Sequence, residues 1–153
     1  MHESRAILEA LGRSSWAGGP EGPRELRLGS GELVAAMAAI KALGGFMLLD
    51  ICAVDRPDCF DVAYRLLDRG GKGAGLLTIR VRVDKTDSAL PSIMGLWKAA
   101  DVLEREVWDL MGVRFEGREG LKRILCRDDF EGHPLRKDFV VATRDRFPGE
   151  ARP

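Results

Sequence analysis

Histidine and cysteine are scarce in this chain, and so is any excess of charge. Two histidines and three cysteines among 153 residues leave few ways to build a metal centre. Cys52, Cys59 and Cys126 are an odd number, at spacings that match no zinc ribbon or iron–sulfur loop, and they read as buried free thiols. The 24 basic and 24 acidic residues cancel, so the balance favours neither nucleic acid nor an anionic bilayer. No apolar run approaches the roughly 20 residues that span a membrane. The N-terminal MHESRAILEALG carries acids and lacks the apolar core of a signal peptide, so a cytoplasmic protein is expected. A GxGxxG fingerprint is missing too, which argues against direct binding of a dinucleotide. GGKGAG, Gly70 to Gly75, has glycines and a lysine. It lacks the Ser or Thr of a P-loop, and a β-patterned run follows it where a helix would be needed, so it reads as a hairpin turn.

What is present is an ordinary globular composition, 45% apolar and 31% charged, at a length that suits one domain. Ile7, Leu8 and Leu11 share one side of a short first helix that Gly12 ends. ELRLG predicts a strand, and Ser30 the N-cap of a helix through Leu33, Met37 and Ile40 to the Gly44-Gly45 stop. Phe46 to Val54 is a nearly continuous apolar run of strand length, as expected for a strand covered on both faces or sited centrally. Phe60 to Leu67 and Leu76 to Val83 form an antiparallel hairpin. In its second strand Leu77, Ile79, Val81 and Val83 alternate with Thr78, Arg80 and Arg82. Pro91 and Ser92 open a long helix whose apolar stripe is Ile93, Leu96, Ala100, Leu103, Val107, Leu110 and Met111, with Lys98, Arg105 and Asp109 pointing away. Asp101, Arg105 and Asp109 are spaced to pair along the outer face. Gly112 ends this helix.

Beyond Gly112 the pattern breaks. Gly117, Gly120, Gly132, Pro134 and Pro148 interrupt any longer element, yet Val113, Phe115, Leu121, Ile124, Leu125, Phe130, Leu135, Phe139 and Val140 supply apolar anchors that a solvated tail lacks. The expectation is a ribbon ordered by packing, some of it on another chain. The fold class is thus α+β: a two-layer domain (1–112) with helices on a mixed sheet containing an antiparallel hairpin, followed by an extended C-terminal interaction segment (113–153). Glu104 and Glu106 border the helix stripe and are expected to pair with ribbon cations Arg123, Arg136 and Lys137, the Glu106–Arg136 pair among them.

LEREVWDLMGVRFEG and RILCRDDFEGHPLRKDF resemble, in order, the two halves of the signature of the thirty-kilodalton subunit family of respiratory complex I. LLDICAVDRP, FDVAYRLL and LPSIMGLWKAADVLERE resemble the family's preceding segments. One departure stands out. Where the family usually reads Gly-His-Pro, this chain has Gly117, Arg118 and Glu119. The resemblance implies a non-catalytic peripheral-arm subunit of an NADH:quinone oxidoreductase that binds no cofactor of its own. Its partners would be the large quinone-site subunit and the small iron–sulfur subunit, with the partners carrying the iron–sulfur clusters and any flavin. Such a protein would sit peripherally on the cytoplasmic face of the membrane, held by those partners. Equivalent subunits of membrane-bound hydrogenases and coenzyme-F420-linked dehydrogenases are the alternative.

The contact residues expected on this reading are Arg105, Trp108, Arg123, Asp128, His133, Pro134, Leu135, Arg136, Lys137 and Phe139, because aromatic and arginine side chains concentrate at buried interface centres. The competing class is a stand-alone hydrolase using Asp128, Asp129, Glu131 and His133 as ligands or general base. Against it, only one histidine lies there, and Gly-His-Pro also suits a stiff turn in which His133 bonds backbone or a carboxylate.

Overall fold

The computed structural model describes residue 9 and residues 24–69, 75–118 and 120–140. Within them β1 (Arg24–Leu28) leads through a single 3-10 turn (Ser30–Glu32) into α1 (Leu33–Ala42). Then come β2 (Phe46–Asp55), β3 (Cys59–Asp68), β4 (Gly75–Asp84), β5 (Ala89–Pro91), α2 (Ala100–Met111) and β6 (Arg114–Glu116). The main sheet has the order β1-β4-β3-β2. Its β2-β3-β4 meander is antiparallel and β1 adds in parallel to β4, so α1 joins the two edge strands. β5 and β6 make a separate parallel pair. The first predicted helix (Glu9 excepted), residues 70–74 of the GGKGAG turn and residues 141–153 of the C-terminal segment lie outside the described residues.

Strand alternation decides which face is covered. Phe60, Val62, Tyr64 and Leu66 of β3 and Leu77, Ile79 and Val81 of β4 are wholly buried. They share one core with Leu33, Met37 and Ile40 of α1 and with Val107 and Met111 of α2. The opposite face carries Asp61, Arg65, Thr78, Arg80 and Arg82 and has no helix of the described residues on it. The architecture is α+β, two helices against a mixed sheet with an antiparallel hairpin.

Three local expectations are corrected. Gly29, not Ser30, precedes the helical turn, and its N–H donates to the Glu32 carboxylate at 2.7 Å. β2 is an edge strand, with Met47, Leu49 and Val54 about two-fifths exposed. Its nearly continuous apolar run has a geometric cause: a register shift between Leu48 and Asp50 bulges Leu49 out, so Leu48 and Ile51, three apart, both face the core. Finally, α2 begins at Ala100, and residues 92–99 form turns instead. The Glu104 carboxylate draws that segment back, accepting from Ser92 Oγ at 2.7 Å and from the Ile93 N–H at 2.8 Å.

Candidate functional site

Beyond β6 the chain runs without regular structure through residues 120–140, and three buried carboxylates hold the segment that follows α2: Asp109 and Asp55 take its amides, and Glu104 meets Arg118. Asp109 is the chief one. It was expected on the wet side of α2 and is fully buried, because the ribbon covers that side. Arg123 Nη1 donates to Oδ1 at 2.6 Å, while the backbone N–H groups of Ile124, Leu125 and Cys126 converge on Oδ2 at 2.9–3.0 Å. Three successive amides aimed at one oxygen turn the ribbon around that charge, as in backbone anion nests. Burial alone would raise the Asp109 pKa. The Cys126 and Leu125 N–H groups, then Arg123 and the Ile124 N–H, outweigh it and hold the carboxyl well below the usual range.

Around Asp109 the polar groups of the ribbon and of α2 find each other. Arg105 donates to the carbonyls of Lys122 and Arg123 at 3.0 and 3.3 Å, and Arg123 Nη2 to that of Gly132 at 2.9 Å. The Arg123 guanidinium lies 5.6 Å from the Trp108 ring centre and 5.7 Å from that of Phe130. His133 Nδ1 is 2.9 Å from the Asp109 carbonyl. A carbonyl only accepts, so Nδ1 carries the proton there. The Leu135 N–H donates to the Leu110 carbonyl at 3.0 Å. Gly112 ends α2 at φ 77°, and a Cβ on it would lie 2.6 Å from His133 Cδ2, so the close approach of His133 requires glycine twice over.

Glu104 is the second carboxylate. Besides Ser92 and Ile93 it meets Arg118 Nη1 at 3.5 Å, and Arg118, itself buried, also pairs with Asp101. Burial raises the Glu104 pKa despite the opposing pull of Ser92, Ile93 and Arg118. The third is Asp55, at the end of β2, which takes Lys85 Nζ at 2.5 Å and the Lys137 N–H at 2.8 Å. Burial would raise its pKa, but those two donors lower it on balance.

The pairings therefore differ from expectation. Glu104 takes Arg118, Arg123 takes Asp109, Arg136 forks onto Asp138 with two bonds of 2.9 Å, and Lys137 reaches Asp55 through its backbone. Glu106 is exposed, and among the described residues Arg123, Arg136 and Lys137 are engaged elsewhere. Asp101, Arg105 and Asp109 do not pair along the helix, each being drawn to the ribbon instead.

Of the ten expected contact residues, Arg105, Trp108, Arg123, His133 and Leu135 meet at the α2 seam. Pro134 is half-buried beside them in sequence. Arg136 and Lys137 lie at the Asp55 end, with the Arg136 guanidinium 5.2 Å from the Phe60 ring. Phe139 stacks on Phe130 at 5.7 Å. Asp128 stands apart, exposed. Asp129 is taken up by Arg127 and His133 by the Asp109 carbonyl, so the acid–histidine cluster does not converge on a ligand. Among the described residues no group of three or more His, Cys, Asp or Glu side chains is placed to hold a metal.

Some polar groups of the ribbon turn inward, Arg123 and the amides of Ile124, Leu125 and Cys126 among them, while several apolar side chains turn out. Leu125 is 61%, Leu135 60% and Val140 84% exposed. Residues 26–145 match the family model described as respiratory-chain NADH dehydrogenase, 30 Kd subunit. The chain belongs to that family. An NADH-quinone oxidoreductase subunit of Moorella thermoacetica is 46% identical over 115 residues, 73% of this chain and 76% of the relative. Other curated relatives, from Thermus thermophilus and Rhizobium rhizogenes, are longer, and the chain spans 61% and 48% of their length. Among solved structures, a trypsin-resistant fragment of Nqo5 superposes with a TM-score of 0.64 at 34% identity, over 76% of this chain and 97% of that one. A polypeptide from the membrane-bound sulfane sulfur reductase, an archaeal respiratory membrane complex, does so with 0.76 at 26% identity, over 91% and 84%.

In this member of the 30 kDa family, sequence reasoning missed Asp109, Asp55, Ser92 and Arg118. Helical periodicity placed Asp109 outside because it counts one buried stripe, and α2 has two covered sides. The signal that could have found it is the ribbon itself, a long segment whose amides need acceptors.

Proposed function

We propose that the protein is a non-catalytic peripheral-arm subunit of a complex I-like NADH:quinone oxidoreductase, docked through residues 113–153 onto the large quinone-site subunit and beside the small iron–sulfur subunit. The partners carry the clusters and any flavin. The protein keeps the large subunit in register with the path of electrons to quinone, and sits peripherally on the cytoplasmic face of the membrane through those contacts.

The observation that supports this is the division of labour within the ribbon. The amides of Ile124, Leu125, Cys126, Leu135 and Lys137 are already taken by Asp109, α2 and Asp55, which lowers the cost of ordering at assembly, while Leu125, Leu135 and Val140 remain outside. A preformed ribbon with outward leucines behaves as an interface presented in advance. A second reading, the equivalent subunit of another respiratory membrane complex, is favoured by the sulfane sulfur reductase superposition.

Affinity purification of the tagged protein from detergent-solubilised membranes tests both. Co-purification of a large quinone-site subunit is the expected result, and the Leu125→Glu/Leu135→Glu variant is expected to lose it with the fold of the free protein unchanged. Retention by that variant would remove the ribbon from the interface. Partners bearing nickel- or sulfur-reducing modules in place of an NADH module would select the second reading.

A further inference from the structure

A cleft opens on the uncovered face of the main sheet, at the end where β1 and β4 finish and β2 turns into β3. It encloses about 470 Å³, and four arginines line it: Arg27 of β1, Arg56 of the β2–β3 turn, and Arg80 and Arg82 of β4. Small-molecule pockets start at about 300 Å³, so there is room for more than a single ion. Strand register explains the crowding of charge. Arg27 stands directly opposite Arg80 across the β1–β4 ladder, and Arg82 opposite Asp61 across the β3–β4 ladder. Like charges paired in this way repel, so the row needs acids beside it.

The acids present are too few for the arginines. Arg80 is the fixed member, with Nε donating to Glu25 at 2.9 Å and Nη1 to Asp61 at 3.2 Å. Arg82 gives Nη2 to Asp58 at 2.8 Å and Nε to the Cys59 sulfur at 3.3 Å. Little is left for the other two. Arg27 reaches Glu25 only at 3.4 Å and is 75% exposed. Arg56 stands 3.6 Å from Asp61, makes no hydrogen bond among the described residues and is 53% exposed. Glu25, Asp58 and Asp61 thus serve four guanidiniums, and the two forks at the rim keep most of their N–H groups unspent.

A guanidinium fork matches two oxygens of a carboxylate or a phosphate. A lone carboxylate would occupy one fork, whereas two rim forks beside Arg82 call for an anion that presents oxygens in several directions. The three acids also set a threshold, since a single negative charge gains little against their repulsion and a multiple charge gains much. We propose that this cleft binds a small polyphosphate anion of the pyrophosphate type, with the Arg27 and Arg56 guanidiniums closing on it over a floor held by Arg80 and Arg82. The site uses no residue of the ribbon, so it stands or falls separately from the docking proposed above.

Isothermal titration calorimetry of the purified full-length protein, at constant ionic strength, provides the test. Inorganic pyrophosphate is expected to bind saturably at one site, at least about tenfold more tightly than sulfate. The Arg27→Gln/Arg56→Gln variant is expected to weaken that binding at least about tenfold, with circular dichroism unchanged because both side chains are exposed. The Arg65→Gln/Arg69→Gln variant removes the same charge from two exposed arginines outside the cleft, and its affinity is expected to stay within about twofold of the unaltered protein. Equal losses in the two variants would overturn the proposal and leave only a diffuse field. So would pyrophosphate binding no tighter than that of sulfate. Binding that is present in the free protein and absent from the assembled complex would overturn it as well, giving the cleft to an acidic segment of a partner subunit.

Discussion

Asp109 and Glu104 are five residues apart on one helix, both fully buried, and burial acts on both in the same sense, yet they end with opposite preferences. Asp109 has four donors in place and keeps its charge. Glu104 has fewer good donors for the volume it is buried in, and its pKa is raised from the ordinary carboxylate value. Asp109→Asn is therefore expected to place an amide NH2 against backbone N–H groups and to weaken ribbon docking by about 3 kcal/mol. Exchange of the Ile124, Leu125 and Cys126 amides would then quicken on the order of 100-fold. Glu104→Gln, which still accepts from Ser92 or Ile93, is expected to cost no more than about 1 kcal/mol. The pH dependence has opposite sign at the two sites. Asp109, with its folded pKa depressed, contributes stability that is complete above about pH 4 and is lost as pH falls towards its folded value. Glu104, with its folded pKa raised, contributes most below about pH 4.3 and loses that contribution as pH rises through its folded value. Acid titration of ribbon exchange rates in wild type and in Asp109→Asn checks this. The acid-induced loosening should be present in the first and absent from the second.

Between elements, the decisive joint is the one where α2 stops and the ribbon folds back over it. Gly112 takes a left-handed conformation and leaves room for His133, so Gly112→Ala meets both a backbone penalty of about 1–2 kcal/mol and the imidazole ring. The expected outcome is a displaced His133 with α2 intact, read as faster tryptic cleavage after the exposed Arg127 at unchanged helical dichroism. Loss of helix content in that variant would show instead that α2 depends on the joint. The start and end of most elements were legible in the sequence, because alternation in β4 and the Gly44-Gly45 and Gly112 stops are local signals. The edge position of β2 was not, since a bulge imitates the continuous run of a central strand. Nor was the late start of α2, since residues 92–99 carry helical spacing but are held in turns by a carboxylate eleven residues away. Both misreadings come from tertiary contacts acting on a locally correct pattern.

For the molecule as a whole, family and fold class could be read before any coordinates, whereas the site was read at the level of which segment and not of which contacts. Trp108, Arg123 and His133 do converge, but on Asp109 and one another, and residues expected to reach a partner are partly spent on holding the ribbon in place. A segment held by a few polar bonds, over a core dominated by the sheet, should open without the sheet opening. In the isolated protein the amides of Ile124 to Cys126 and of Leu135 are therefore expected to exchange by local opening, on the order of 100-fold or more faster than those of Val62 and Ile79 at the sheet centre. Assembly should bring the two sets together, because covering Leu125 and Leu135 couples the ribbon's opening to dissociation of the partner. Ribbon amides already as slow as the sheet in the free protein would mean that the ribbon belongs to the cooperative core and gains nothing from a partner. That result would remove the physical reason for its outward leucines to be an interface.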